Sequence, residues 1–145
     1  MSWHGWHTYG YGVKISELGE ISMSKVVELV QTAPKFAKDF NKWLSDCEIK
    51  EPTLEDLEEF DTYHCLGLVT VLKEIIFEVE KIELIACDDF DGEKYLLFEQ
   101  TYPWRMTELE KSLKEEDIQS LMVKYLSKIT DAAITIDYYD PENGG

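Results

Sequence analysis

The residues best suited to chemistry in this 145-residue chain are three histidines, three cysteines and many carboxylates. His4 and His7 stand three positions apart, so their imidazoles could share a metal ion with a carboxylate or thiolate from elsewhere. A strand would point these two side chains to opposite faces, which disfavours joint ligation. We therefore predict no metal and no other cofactor, and we interpret this segment as one that packs internally or contacts a partner.

A second group, His64 and Cys65 with Cys87, could supply a cysteine–histidine nucleophile pair if the side chains met at an exposed site. On a helix, neighbouring residues point about 100° apart, so His64 and Cys65 face different directions. His64 also falls on an apolar stripe, where a buried histidine bonded to a local partner is typical. The sequence therefore favours a protein that is not an enzyme, with a metal- or cysteine-dependent enzyme as an alternative.

The acids of residues 88–93 superficially suggest a calcium loop, because Gly92 stands among them. An EF-hand needs regularly alternating acids before its glycine and a glutamate six residues later, and the spacing here is irregular. Asp91 and Gly92 are instead typical of a two-residue hairpin turn. The chain also lacks the phosphate-loop, dinucleotide, serine-hydrolase and zinc-protease motifs.

Carboxylates outnumber cations throughout most of the chain. It has 30 Asp and Glu against 14 Lys and Arg, a formal net charge of −16 and a pI near 4.4. Residues 1–45 carry five lysines and four acids, whereas residues 46–145 carry 26 acids and nine bases. This charge excludes binding to nucleic acid by phosphate neutralisation and binding to anionic membranes.

The densest acidic run, residues 46–61, contains a single cation, Lys50. Acids three and four apart on a helix repel by about 0.2–0.5 kcal/mol per pair, and a merely solvated helix face usually mixes signs. We therefore predict a phosphate-mimicking surface for a basic, nucleic-acid-binding protein, with fast, salt-sensitive association; a purely solubilising role is the alternative. A second acidic stretch, residues 108–117, could add to it. The predicted partner-binding residues are Asp46, Glu48, Glu51, Glu55, Asp56, Glu58, Glu59 and Asp61.

A small-ligand site, for example one that sequesters a signalling nucleotide, is the alternative function. Glycines in an N-terminal strand would let a ligand approach closely, aromatic rings would stack on a base, and a cation would meet a phosphate. The scarcity of basic residues counts against this interpretation. The residues predicted for this site are Trp6, Tyr9, Gly10, Tyr11, Gly12, Lys14 and Arg105.

Polarity patterns predict the elements that must carry these groups. Residues 7–15 alternate in polarity, which predicts a strand whose glycines let another backbone, a ring or a ligand come close. Ser24 is expected to cap a short helix, and Pro34 to stand in the first turn of a second helix. The apolar face of the second helix is formed by Phe36, Phe40, Trp43 and Leu44.

The acidic run falls largely on a third helical region, which Thr53 is expected to cap with Asp56 three positions on. Helical spacing continues to about Glu80. Gly67 and the polar step at residues 61–62 predict a break or kink, so this region is expected to form one bent helix or two.

A hairpin is predicted next, because apolar runs at residues 84–87 and 95–98 flank Asp91 and Gly92. A two-residue turn there would bring opposite charges and apolar pairs together. Both strands carry apolar residues on both faces, which predicts that both lie inside the sheet. The predicted opposite pairs are Asp89 with Lys94, Cys87 with Leu96, and Ile85 with Phe98.

The C-terminal part is predicted to hold a helix, a strand and a tail. Ser112 and Glu115 form the pattern of a capping box, which predicts a helix after residue 112. Residues 132–139 predict a last strand, and residues 140–145 a polar tail. The whole chain, residues 1–145, is then one α+β domain with a four-stranded, mainly antiparallel sheet and three to five helices packed on it.

The sequence also bears on the cellular compartment of the protein. No window approaches the apolar length of a membrane span, and the N-terminus has no basic region followed by an apolar run. An odd number of cysteines without CxxC spacing fits reduced thiols. We therefore expect a cytoplasmic protein that binds neither membrane nor nucleic acid directly.

Residues 6–12, 86–92 and 137–145 resemble segments of small acidic proteins of Gram-positive bacteria and their phages. That group has no assigned activity, so the resemblance supplies no catalytic residues. Acidic phage proteins of this size include anti-restriction and anti-CRISPR inhibitors. By this analogy of class, the resemblance implies an inhibitor of a host defence protein that acts in the host cytoplasm.

Overall fold

The computed structural model describes residues 6–60, 66–99 and 103–144. Two short 3-10 turns, Ile15–Leu18 and Pro103–Arg105, supplement the regular elements. In chain order the strands and helices are β1 (Trp6–His7), β2 (Gly10–Lys14), α1 (Met23–Val30), α2 (Pro34–Asp46), α3 (Leu54–Phe60), α4 (Leu68–Glu80), β3 (Ile85–Asp88), β4 (Lys94–Phe98), α5 (Glu108–Ser112), α6 (Glu115–Leu126), β5 (Asp137–Tyr139) and β6 (Glu142–Gly144).

The main sheet has four strands in the order β3-β4-β2-β5, and every neighbouring pair is antiparallel. This confirms the predicted α+β class and its four-stranded antiparallel sheet. Over the described residues the chain forms six α-helices, of which the short α5 was not predicted. The prediction that both hairpin strands are internal is wrong for β3, which is an edge strand, and right for β4.

The helices cover one face of the main sheet. Strand alternation turns Val13, Leu96 and Phe98 to this face, where they join the large core formed with α1, α2, α4 and α6. The opposite face carries a small separate cluster around Leu97 and Tyr95. The fold therefore has one deep core between sheet and helices, and a thin apolar layer on the far side of the sheet.

An aromatic cluster fastens α3 to α2. Phe40 is fully buried, and its ring centroid lies 5.5 Å from those of both Trp43 and Phe60. Phe36 reaches the same cluster, with its centroid 5.8 Å from that of Phe60. The apolar face predicted for the second helix is thus confirmed, and its function is to hold the last residue of α3.

The hairpin register differs by one residue from the predicted one. Cys87 lies opposite Tyr95 rather than Leu96, because the connection has three residues instead of two. The Asp89 N–H donates to the Glu93 carbonyl at 2.9 Å, and Gly92 takes the left-handed φ of 84° that closes such a loop. The observed opposite pairs are Ile85 with Leu97, Ala86 with Leu96, Cys87 with Tyr95, and Asp88 with Lys94.

Two helix starts differ from the predicted ones. Helix α1 begins one residue before Ser24, and the residue preceding the helix is Ser22. The predicted capping box at Ser112 is wrong, because Ser112 is the last residue of α5 and its hydroxyl donates to a carbonyl within that helix. Helix α6 starts after Lys114, whose N–H donates to the Asp117 carboxylate at 2.9 Å.

The capping box lies one helix earlier, at Thr107 and Glu110. Burial alone would raise the pKa of Glu110, but hydrogen bonds from the N–H groups of Thr107 and Glu83 outweigh it and hold this pKa below its usual range. Glu110 therefore stabilises the fold while it is ionised, and that contribution is lost as the pH falls through its folded pKa.

The C-terminal region forms a shorter strand than the one predicted over residues 132–139, and part of the predicted polar tail is a strand. Only Asp137–Tyr139 pair as β5, because the side-chain amide of Gln119 takes the backbone bonds that a longer strand would use. Its Nε2 donates to the Ile134 carbonyl at 2.6 Å, and its Oε1 accepts the Ile136 N–H at 2.8 Å. The tail is also ordered by pairing, since β6 lies antiparallel to β1. Backbone pairing of this kind needs no apolar pattern, so polarity alone did not reveal it.

Candidate protein-interaction surface

The acidic run begins where α2 ends in a Schellman motif. The Ile49 N–H donates to the Leu44 carbonyl at 2.9 Å, and the Glu48 N–H donates to the Ser45 carbonyl at 3.2 Å. Glu48 occupies the left-handed position of this motif, with φ of 54°, where glycine is the usual residue. This motif turns the chain out of α2 and places the next acids on an exposed loop.

We expect Glu48→Gly to raise the free energy of unfolding by about 0.5–1 kcal/mol, because glycine adopts this backbone conformation without steric cost. Urea denaturation followed by circular dichroism measures the change. Asp39→Gly, inside α2, is the matched control, and it should lower stability because its site is helical. A destabilised Glu48→Gly protein would contradict the left-handed geometry.

Most acids predicted to bind a partner are exposed along α2, the following loop and α3. The half-buried exception is Asp56, and Asp61 lies outside the described residues. The exposed members of the predicted set are Asp46, Glu48, Glu51, Glu55, Glu58 and Glu59.

Two of the predicted residues hold the fold together. The Asp56 carboxylate accepts the Thr53 N–H at 2.8 Å while the Thr53 hydroxyl accepts the Asp56 N–H at 3.2 Å, which confirms Thr53 as the cap of α3. Glu58 accepts a hydrogen bond from Lys94 Nζ at 2.8 Å. The sequence interpretation of an unpaired acidic ladder is therefore corrected at Glu58, because the sheet brings a lysine from strand β4.

Five carboxylates remain exposed, and within the described parts of the chain none has a hydrogen bond or ion pair from its side chain. Asp46 stands in the last turn of α2, where a negative charge opposes the helix dipole. These residues, called the acidic face below, are Asp46, Glu48, Glu51, Glu55 and Glu59.

The second acidic stretch, residues 108–117, is largely engaged in its own helices. Glu108 pairs with Lys111 at 3.1 Å, and Glu110 and Asp117 accept backbone N–H groups. All of its acids except Glu110 are exposed, and Glu115 and Glu116 stand in the first turn of α6, where the helix dipole favours them.

An open groove, which the sequence did not reveal, lies beside the acidic face. Its volume is about 970 Å³. One wall is α1 and the other is the chain from Lys50 to Glu55, so Glu51 and Glu55 belong to both the groove and the acidic face. The apolar residues that line it are Ile21, Met23, Val27, Leu44, Pro52 and Leu54.

The residues predicted for a small ligand do not share one surface. Tyr11 packs edge to face on Tyr138, with centroids 5.2 Å apart, while strand alternation turns Lys14 to the other face of the sheet beside Tyr95. Tyr9 is exposed before β2, and Arg105 lies in the turn after β4. The side chain of Trp6 is outside the described part.

The close approach predicted at the glycines is made by the protein's own backbone. A Cβ on Gly12 would overlap the Leu96 carbonyl oxygen, and one on Gly10 would overlap the Phe98 carbonyl oxygen. Strand β4 therefore fills the space that the ligand interpretation left for a base. On the far face, burial and the nearby Glu17 carboxylate raise the pKa of Tyr139 to about 12, so its hydroxyl stays protonated at neutral pH.

The candidate catalytic and metal-binding residues are scattered or undescribed. His4, His64 and Cys65 lie outside the described residues, and of His7 only the backbone in β1 is described. Cys87 is buried on the far face of the sheet. In the hairpin loop the Asp89 carboxylate accepts the N–H groups of Asp91 and Glu93 and the Tyr95 hydroxyl.

Within the described ranges, no three His, Cys, Asp or Glu side chains gather so as to hold a metal ion. Among the same residues, no helix combines the length and apolar character needed to cross a membrane. Comparisons with known protein families, with curated proteins and with solved structures find no match for this chain. The case for function therefore rests on the geometry of the acidic face and the groove.

Proposed function

We propose that this chain is a non-enzymatic interaction protein whose acidic face binds a basic, nucleic-acid-binding protein. The observation that supports this is the group of five exposed carboxylates without an internal partner in the described structure. Some acids elsewhere in the fold are bonded: Glu80 pairs with Lys124 at 3.0 Å, and Glu78 accepts two N–H groups at the start of α2. The acidic face keeps its charge available for another molecule.

Carboxylates along an exposed loop and helix would compete with nucleic acid for the same basic groove, because both present closely spaced negative charges. Binding would then inhibit the partner without any chemical step. The resemblance to acidic phage proteins extends this proposal to a phage-encoded inhibitor of a host defence protein. Electrostatic attraction would also accelerate the encounter, since a concentrated field steers an oppositely charged molecule.

Charge reversal of the acidic face tests the proposal. We expect Glu51→Lys combined with Glu55→Lys and Glu59→Lys to weaken partner binding at least about 100-fold, because like charges then meet across the interface. These three residues are chosen because Asp56 and Glu58 support the fold. The partner is first captured on the wild-type chain from an extract of cells that encode it, and its affinity for each variant is then measured by surface plasmon resonance.

The matched control reverses three exposed acids elsewhere, Glu28, Asp39 and Asp131, to lysine. It changes the net charge by the same amount and should retain binding within about threefold, since distant surface charges are largely screened by salt. Equal losses in the two triple variants would mean that only bulk charge matters. Undiminished binding by the acidic-face variant, or no basic protein captured by the wild type, would contradict the proposal.

A further inference from the structure

The groove beside the acidic face is apolar at its floor and open to solvent. Ile21, Met23, Val27 and Leu44 are half-buried there, and Leu54 is 42% exposed at the start of α3. Apolar surface left accessible in a concave site is typical of a site that another molecule covers. Its two walls come from residues far apart in sequence, so folding is needed to create it.

The residues that line the groove indicate which kind of molecule could bind there. No aromatic ring lines the groove, and no buried side-chain nitrogen or oxygen of the described residues is left without a hydrogen bond. A small-ligand pocket usually has a few convergent polar groups that fix the ligand. The polar residues of this lining are all exposed rather than enclosed with a ligand: Ser24, Lys50, Glu51, Thr53 and Glu55. The walls are helices and loop, whereas strand addition needs an exposed sheet edge.

The carboxylates at the rim of the groove favour an apolar binding partner that also carries positive charge. Glu51 and Glu55 line the groove directly, and the remaining members of the acidic face are exposed in the chain segments on either side of them. Lys50 is the one cation that lines the groove in the described structure. A complementary occupant therefore carries apolar side chains on one side and several Lys or Arg on the flanks.

We propose that this groove binds an amphipathic, basic α-helix of the partner protein. Side chains at i, i+3, i+4 and i+7 form the apolar stripe that a groove between helices accepts, and flanking cations meet Glu51 and Glu55. This inference rests on the proposed function and names the element of the partner that the acidic face engages.

A pair of synthetic peptides tests the groove. The first, of about 18 residues, carries leucines at i, i+3, i+4 and i+7 with arginines beside them, long enough to form a helix. The second has the same composition in scrambled order and so the same charge without the stripe. Isothermal titration calorimetry gives both affinities, and amide chemical-shift changes in the labelled protein locate the site.

We expect the striped peptide to bind at least about tenfold more tightly than its scrambled counterpart, with shift changes at Met23, Val27 and Leu54. Met23→Asn combined with Leu54→Asn should remove that preference. The matched control replaces two other exposed apolar residues, Leu109 and Val123, with asparagine and should retain it. Circular dichroism confirms that both double variants remain folded.

The outcomes separate this inference from the proposed function. Equal affinity for the two peptides, with both lost on reversal of Glu51 and Glu55, would overturn the groove inference and leave the acidic face supported. A preference for the stripe that survives this reversal would support the groove and contradict the acidic face. No binding of the striped peptide, or binding with shift changes elsewhere, would overturn the groove inference.

Discussion

Replacement of Phe40 by alanine is expected to lower the free energy of unfolding by about 3–5 kcal/mol, the usual cost of deleting a large buried side chain. Phe40 is fully buried, and its ring contacts those of Phe36, Trp43 and Phe60. Aromatic pairs add about 0.5–1.5 kcal/mol beyond the area that they bury. Urea denaturation followed by fluorescence measures the change.

The effect should reach the acidic face, because Phe60 is the residue that fastens α3 to the cluster. In the Phe40→Ala protein we expect faster amide hydrogen exchange across α3 than across the sheet. Phe77→Ala is the control, since Phe77 is 46% exposed and should cost less than about 1 kcal/mol. Equal costs for the two variants would contradict the packing described for α2 and α3.

Gly12→Ala is expected to destabilise the protein by about 3 kcal/mol or more, because overpacking a rigid site forces backbone to move. The added Cβ would overlap the Leu96 carbonyl oxygen and lie 2.8 Å from the Leu97 Cα. Both atoms belong to the central strand β4, so neither side-chain rotation nor a loop movement relieves the contact. Thermal denaturation by calorimetry measures the loss.

Gly92→Ala serves as the control for Gly12→Ala. No atom lies within 4 Å of a Cβ at Gly92. The substitution should therefore lower the free energy of unfolding by about 1–2 kcal/mol, and only because φ is 84° there. The larger loss of stability should therefore occur at Gly12, although only Gly92 has a left-handed φ. A Gly12→Ala protein as stable as the wild type would show that β2 and β4 do not approach as closely as described.

Much of the fold could be predicted from local patterns. The apolar spacing of α2, the cap at Thr53 and the alternation of β2 each depend on residues close in sequence, and the structure confirms all three. The hairpin register could not be settled this way, because two- and three-residue connections around Asp91 and Gly92 fit the same sequence. A loop longer by one residue shifts the register, so that Cys87 lies opposite Tyr95 instead of Leu96.

The candidate site also combines features that the sequence predicts with features that only the fold creates. The position of the acids is a property of the sequence, so the acidic face could be predicted almost in full. The ion pair that removes Glu58 from this face could not be predicted, because the tertiary fold brings Lys94 to it from 36 residues away in the sequence. The groove was also missed, since Val27 and Leu54 become neighbours of one cavity only when α1 and α3 pack around α2.

The association rate of the captured partner, measured by stopped-flow at increasing salt, tests the central claim most directly. The Debye length falls from about 10 Å at 0.1 M to about 3 Å at 1 M salt, so steering by the acidic face should weaken over that range. We predict a rate constant that drops at least about tenfold, and that is already low at 0.1 M for the variant with Glu51, Glu55 and Glu59 reversed. A rate constant that is independent of salt and unchanged by the reversal would contradict the claim that the acidic face recognises a basic protein.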